Sequence, residues 1–340
     1  MIYLLQGNRV YRSYFGGKNL DAFFGEENPS VTQFPEEWIA SLTRACNPGR
    51  EKITEGYSYC RDGKSLREII DISPVLMLGE ENYKKYGKRL PFLVKLLDSA
   101  ERLFIQCHPT NEFAQKHFNS QFGKTECWYI LSAEKDACVY LGFKRGATKQ
   151  KMINAFLRQD IEDMLSMMHR HPVKAGDVIF VDGGVPHAIG AGCFLVELQE
   201  PTDYMVIPER KSLSGISLPD DKMHGGLGFE KMFDVFDYTH YSYEAIRKKF
   251  VKHIKLQKNV LNTVVGEEWT DKFKLNCIDL DDEIEFSTND KCCVALVLEG
   301  RCVIDNSQQF IQLNKGDELF IAANTPPSII KGKAKIILCQ

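Results

Sequence analysis

Two textures of apolar and polar positions divide the chain. From about 30 to 90 the pattern is mixed, and FPEEWIASL, KSLREII and ENYKKYG read as short helices joined by loops containing Gly and Pro. From residue 92 onward, short runs rich in β-branched and aromatic residues follow one another: FLVKLLDS, ERLFIQCH, TECWYILS, ACVYLGF, GDVIFVD and CFLVELQ. Runs of this kind, separated by turns, predict the strands of a sandwich or barrel and not alternating βαβ units. Two helical stretches interrupt them. NEFAQKHF (111–118) opens with Asn111 at an N-cap position. TKQKMINAFLRQDIEDMLSMMHR carries Met152, Phe156, Met164 and Met168 at helical spacing, a stripe that predicts core packing. A loop-rich segment with Pro208, Gly215 and Pro219 then leads to FEKMFDVF and YEAIRKKF, again helical, and strands return from about 255. The expected division is a first domain over 1–254, with helical segments near 30–90, 148–170 and 228–252, and a second, β-rich domain over 255–340.

The strand pattern repeats once. Residues 176–187 read GDVIFVDGGVPH and residues 316–327 read GDELFIAANTPP. Each begins Gly-Asp, runs through a short apolar strand and a turn, and reaches a proline, Pro186 or Pro326. The first copy ends on His187 and the second on Pro327, so only the first keeps a side chain able to hold a metal. With no histidine beyond His253, the C-terminal barrel is expected to be structural.

Composition narrows the classes. The 340 residues are 44% hydrophobic and 26% charged, which excludes disorder and fibrous repeats. A formal net charge of −3 with no basic block gives no reason to expect nucleic acid, and no apolar run approaches the ~20 residues of a membrane span. The N-terminus, interrupted by Arg9 and Arg12, does not read as a signal peptide. Eleven scattered cysteines with no C-x-x-C pair read as reduced and largely buried, in keeping with a cytoplasmic protein.

Candidate chemistry concentrates in residues 104–131. On a strand ERLFIQCH, Gln106 and His108 share a face, and on GKTECWYIL so do Lys124 and Glu126. An imidazole, a carboxylate and an amide oxygen, completed by His187, suit a borderline divalent ion. Nitrogen and oxygen donors favour zinc and leave manganese, iron and cobalt open. Cys107 and Cys127 fall on the opposite faces. His169 and His171 in HRHP read as a basic cap where a helix ends, and His117 as solvent-facing. HGGLGFEK does not have the spacing of a dinucleotide loop.

The motifs Q-C-H-P, G-K-T-E-C-W-Y-I, P-H-A-I-G-A-G and V-E-L-Q with T-D soon after, together with GGKNL, FLVKLLD and LNKGDELFI, resemble those of type I phosphomannose isomerases, in particular the short bacterial members. The resemblance implies a mainly β fold of two cupin-type jelly-roll β-barrels with a helical insert. It also implies interconversion of mannose 6-phosphate and fructose 6-phosphate through an enediol, with one zinc ion per chain. Carried over, the zinc ligands are Gln106, His108, Glu126 and His187, the active-site lysine is Lys124 and the aspartate is Asp203. The implied partner is a small sugar phosphate, with no protein partner required. Two positions depart from the family pattern. Ile207 stands where an arginine follows the aspartate, and Phe104 where many members have serine. Arg210 is expected to reach inward in the arginine's place, with Pro208 stiffening the turn and Glu209 marking a polar, site-facing loop. The alternatives are an isomerase of another or an unphosphorylated sugar, or a metallo-cupin that binds sugars without turning them over. Retention of Lys124 and Asp203 favours an enzyme.

Overall fold

The computed structural model describes all 340 residues. One antiparallel sheet has the strand order Val251–His253, Asp177–Val181, Glu126–Ala133, Cys193–Gln199, Leu93–Ser99, Glu36–Ile39 and Arg9–Val10. A smaller sheet is built on Cys138–Lys144, flanked by Met168–Pro172, His187–Ile189 and His240–Tyr241. Val139, Leu141 and Ile189 of the smaller sheet bury against Trp128, Ile130 and Leu195 of the larger one, as two facing sheets of a jelly roll do. The eight strands of the third sheet include Cys293–Asp305 and Ser328–Cys339 at its centre. The molecule is mainly β and cupin-like, as expected, and none of the sheets closes its hydrogen bonding into a ring.

The helices Leu66–Ile72, Glu80–Tyr86, Lys149–Arg158, Ile161–Ser166 and Tyr243–Phe250 fall where the helical pattern lies. Ser65 and Glu68 form a capping box on the first of these. Met152, Phe156, Met164 and Met168 are all buried in one cluster between helices and the smaller sheet, so the methionine stripe is core packing. The helix Asn111–Phe118 is capped by Thr110, whose side chain accepts from the Phe113 amide, and not by Asn111.

Three local expectations are overturned. FPEEWIASL is not a helix: Glu36–Ile39 is a fully buried strand paired with Leu93–Ser99. ERLFIQCH is extended but pairs only at single bridges, Gln106 with His187 and Cys107 with Val206. HRHP is not a helix end. It lies in the strand Met168–Pro172, where His169 Nε2 sits 2.8 Å from the Tyr241 carbonyl and His171 Nδ1 lies 3.1 Å from the Tyr243 hydroxyl.

The Gly-Asp repeat has a local cause. Gly176 and Gly316 both adopt positive φ, 85° and 88°, a conformation that favours glycine. In each copy the following aspartate accepts a hydrogen bond from the amide three residues earlier, Lys174 to Asp177 and Asn314 to Asp317. The two copies then enter the strands Asp177–Val181 and Glu318–Ile321. The N-terminal strand Ile2–Leu4 crosses over to pair with Glu318–Ile321, so the third sheet is assembled from both ends of the chain.

Candidate metal centre and adjoining cavity

His187 begins the short strand His187–Ile189, and its backbone exchanges both hydrogen bonds with Gln106 at 2.9 Å. A directly opposed antiparallel pair projects its side chains to the same side, so Gln106 and His187 share a face, and Gln106 is half-buried there. Glu126 opens the strand Glu126–Ala133 in the middle of the larger sheet. His108 follows Gln106 by two residues.

The result is a buried triad. The ligand atoms of His108, Glu126 and His187 lie within 4.8 Å of one another. His108 Nε2 is 3.2 Å from Glu126 Oε2, and His187 Nε2 is 3.2 Å from Glu126 Oε1. The outer ring nitrogens settle the tautomers. His108 Nδ1 donates to the Tyr204 carbonyl at 2.8 Å and His187 Nδ1 to the Val185 carbonyl at 2.9 Å, because a carbonyl can only accept. His187 Nε2 is left with a bare lone pair aimed at the carboxylate, whereas His108 Nε2 accepts from Lys124, and Glu126 Oε1, Glu126 Oε2 and His187 Nε2 are buried without a hydrogen-bond partner. On the His187 side a lone pair and the carboxylate Oε1 face each other at 3.2 Å and repel unless a cation lies between them, so the donor set fits a divalent metal.

Lys124 adjoins the triad. Its Nζ is 2.8 Å from His108 Nε2 and 3.0 Å from Glu126 Oε2. Burial, reinforced by the charge of Lys124, pushes His108 down to about 4, and burial also lowers His187. Burial alone would raise Glu126, but Lys124 and the two imidazoles outweigh it and hold the carboxyl well below its usual range. Both histidines are therefore neutral and Glu126 ionised near neutrality, the protonation states that metal ligation requires.

Beside this centre is a cavity of about 480 Å³ lined by Arg12, Arg44, Asp203, Tyr204, Ile207 and Lys222, among others. Tyr204 joins the two features, since its carbonyl fixes His108. Asp203 is held by both guanidinium nitrogens of Arg12, at 3.2 and 3.3 Å. Burial pulls the Asp203 carboxyl up, but Arg12, then Lys95 and Lys124, bring it net down, so it stays ionised. Arg12 Nε also contacts Glu36 at 3.2 Å, Lys95 pairs with Glu197 at 3.0 Å, and Tyr14 and Trp38 both donate to Glu36. Four charged groups thus back Asp203: Arg12 and the buried Glu36, Lys95 and Glu197.

Arg210 is not in the cavity. It stacks over Phe156 and Phe229 and pairs with Asp220 on the surface at 2.9 Å. The loop around it does not face the site either. Glu209 is buried and takes both nitrogens of Arg102 at 2.7 Å, which turns the backbone away. Ile207 does line the cavity, and Phe104 is buried among apolar side chains. The guanidinium beside Asp203 therefore comes from Arg12, near the N-terminus. Sequence reasoning missed Arg12, which nothing around it marks. Lys95 and Glu197 did leave a signal: each is the only charge in the core of an apolar strand run, and the two stand directly opposite in register.

Residues 7–140 match the family model for the type I phosphomannose isomerase catalytic domain, and 266–340 match that for the mannose-6-phosphate isomerase cupin domain. The chain is 39% identical over 117 residues to mannose-6-phosphate isomerase ManA of Bacillus subtilis, covering 34% of this chain and 36% of that protein. It is 30% identical over 200 residues to the mannose-6-phosphate isomerase of Streptococcus mutans, covering 58% of this chain and 57% of that one. These two alignments thus span less than two thirds of either relative. Over its full length the fold is similar to the crystal structure of the Bacillus subtilis mannose 6-phosphate isomerase, with a TM-score of 0.77, 23% identity, and coverage of 100% of this chain and 99% of the other. The chain belongs to the type I phosphomannose isomerase family.

Proposed function

We propose that the protein is a mannose-6-phosphate isomerase that uses one zinc ion per chain, held by His108, Glu126, His187 and Gln106. The observation that carries this reading is the set of unpartnered lone pairs of His187 and Glu126, converging in the protein interior beside Lys124. A divalent ion there would polarise sugar oxygens and stabilise the negative charge that develops as the aldose becomes an enediol. The remaining roles fall to side chains of the chain itself. Lys124 Nζ, hydrogen-bonded to His108 Nε2, is placed to exchange a proton with a sugar oxygen or carbon. Asp203, kept ionised by Arg12, accepts hydrogen bonds from sugar hydroxyls and fixes the ring-opened chain. Arg12 supplies the permanent planar cation that Ile207 does not, and Arg44 and Lys222 add positive charge along the cavity where a phosphate would lie.

The test joins elemental analysis to a coupled assay of mannose 6-phosphate turnover. Parent protein is expected to carry about one zinc per chain, and His187→Ala to lose most of it. Lys124→Met is expected to retain the metal and to lose about 10²–10⁴ in turnover. A metal-loaded parent that turns over no aldose phosphate would replace this reading with sugar binding alone.

A further inference from the structure

The C-terminal sheet sends one side chain into the wall of the candidate metal centre. Lys272 lies in the loop 266–274, which is closed at its base by two backbone hydrogen bonds between Lys274 and the last residue, Gln340. From there its Nζ reaches Asn111 Oδ1 at 2.7 Å, Thr125 Oγ1 at 2.5 Å and Glu200 Oε2 at 3.0 Å. The same Glu200 oxygen accepts from the Thr125 amide at 2.9 Å, and the other accepts from Asn111 Nδ2 at 2.8 Å. Glu200 is buried, and the cost of its desolvation is offset by these donors and by the ammonium that pairs with it.

Thr125 stands between Lys124 and Glu126. Residues on either side of an extended position point to the opposite face, so the clamp on Thr125 grips the outside of the segment whose inner face carries Lys124 and Glu126. We propose that Lys272 is a positioning residue: through Glu200 and Thr125 it fixes the register and depth of Lys124 and Glu126. The C-terminal domain is then part of the working site and does more than close one side of the molecule. The inference rests on the metal-centre reading above.

Lys272→Met, which keeps the aliphatic length, and Lys272→Arg, which keeps the charge, test it in the full-length protein. Arg61→Met serves as the control, because Arg61 also bridges to the third sheet, at Asp317, away from the triad. The measurements are zinc release to a chelator, kcat and KM for mannose 6-phosphate, and melting temperature. Groups that orient metal ligands from behind typically change metal affinity or activity by about 10–100-fold when removed. Lys272→Met is expected to speed zinc release and lower kcat by about tenfold or more with KM little changed, Lys272→Arg to recover most of both, and Arg61→Met to change neither. If Lys272→Met merely melts earlier, with zinc release and kcat at parental values, the inference fails while the metal-centre reading stands. If Arg61→Met gives the same losses, general loosening between the sheets is the cause and the inference also fails. A parent protein that binds no zinc overturns both.

Discussion

Asp203 keeps its charge inside the protein because Arg12 lies against it, and Arg12 is in turn shared with Glu36. Lys95 and Glu197 complete the set, each at most 4% exposed in its side chain. Breaking a buried ion pair from one side strands the other charge at a cost of about 3–5 kcal/mol. Arg12→Met is therefore expected to destabilise the fold by about that amount in chemical denaturation, and Arg12→Met with Asp203→Asn by less than the sum of the single changes. Additive losses would mean that the two residues are not a unit. Arg210, by contrast, makes an exposed pair worth about 0–1 kcal/mol, and Arg210→Ala is expected to retain parental turnover of mannose 6-phosphate. The triad was legible in the sequence because the alternation of residues sets His108 and Glu126 apart from Cys107 and Cys127, and the GDVIFVDGGVPH turn delivers His187. Arg12 was not, because its partners lie 24 and 191 positions further along the chain, and only the fold brings them together.

The strand Glu36–Ile39 turns a local ambiguity into two separate environments. Two adjacent glutamates beside apolar residues favour a helix by propensity, yet here alternation sends Glu36 into the charge network and Glu37 to the opposite face. Glu37 contacts Arg9 Nε at 3.1 Å and accepts from the Asn8 amide, but burial prevails and pushes its carboxyl up to about 7. On the strand Glu318–Ile321, Glu318 is buried with neither oxygen hydrogen-bonded. Burial and then the neighbouring Glu37 raise it well above the usual range, against the pull of Arg61 and Arg9 and with Asp317 adding to the rise. The folded state thus holds protons that an unfolded glutamate would release near pH 4.3. Below that pH both states are protonated and nothing is lost; as pH rises above it, the unfolded chain releases protons that the folded state retains, so stability falls until the folded carboxyls themselves ionise. The melting temperature is expected to fall between pH 5 and 8 from this source, and Glu318→Gln to flatten the slope and melt higher than the parent at pH 8. Parallel pH profiles for parent and variant would show that the pair does not titrate on folding.

At the scale of the molecule, the apolar strand runs made the mainly β fold legible, and the Gly-Asp repeat suggested two parts. They did not reveal that the parts interlock, because three residues, Ile2–Leu4, carry the crossover and look like any chain start. That strand forms the edge of the third sheet against Glu318–Ile321, and Ile2 and Leu5 are buried on either side of it, in the C-terminal core and in the large shared core respectively. The Met1 amino group adds a hydrogen bond to Thr325 at 2.9 Å. The shared core itself runs from Leu5 and Tyr14 through Trp128 and Leu195 to Phe320 and Cys339, so the two parts are expected to unfold together. Deleting residues 1–5 removes two buried side chains worth roughly 1.5–3 kcal/mol each, a total on the order of 3–6 kcal/mol. It also leaves the apolar strand Glu318–Ile321 as an unpaired edge, open to pairing with a second molecule. The truncated protein is expected to denature at lower urea and to associate with increasing concentration in light scattering, whereas the parent does neither. A truncated chain that unfolds at the parental midpoint would mean that the C-terminal sheet stands without its N-terminal strand.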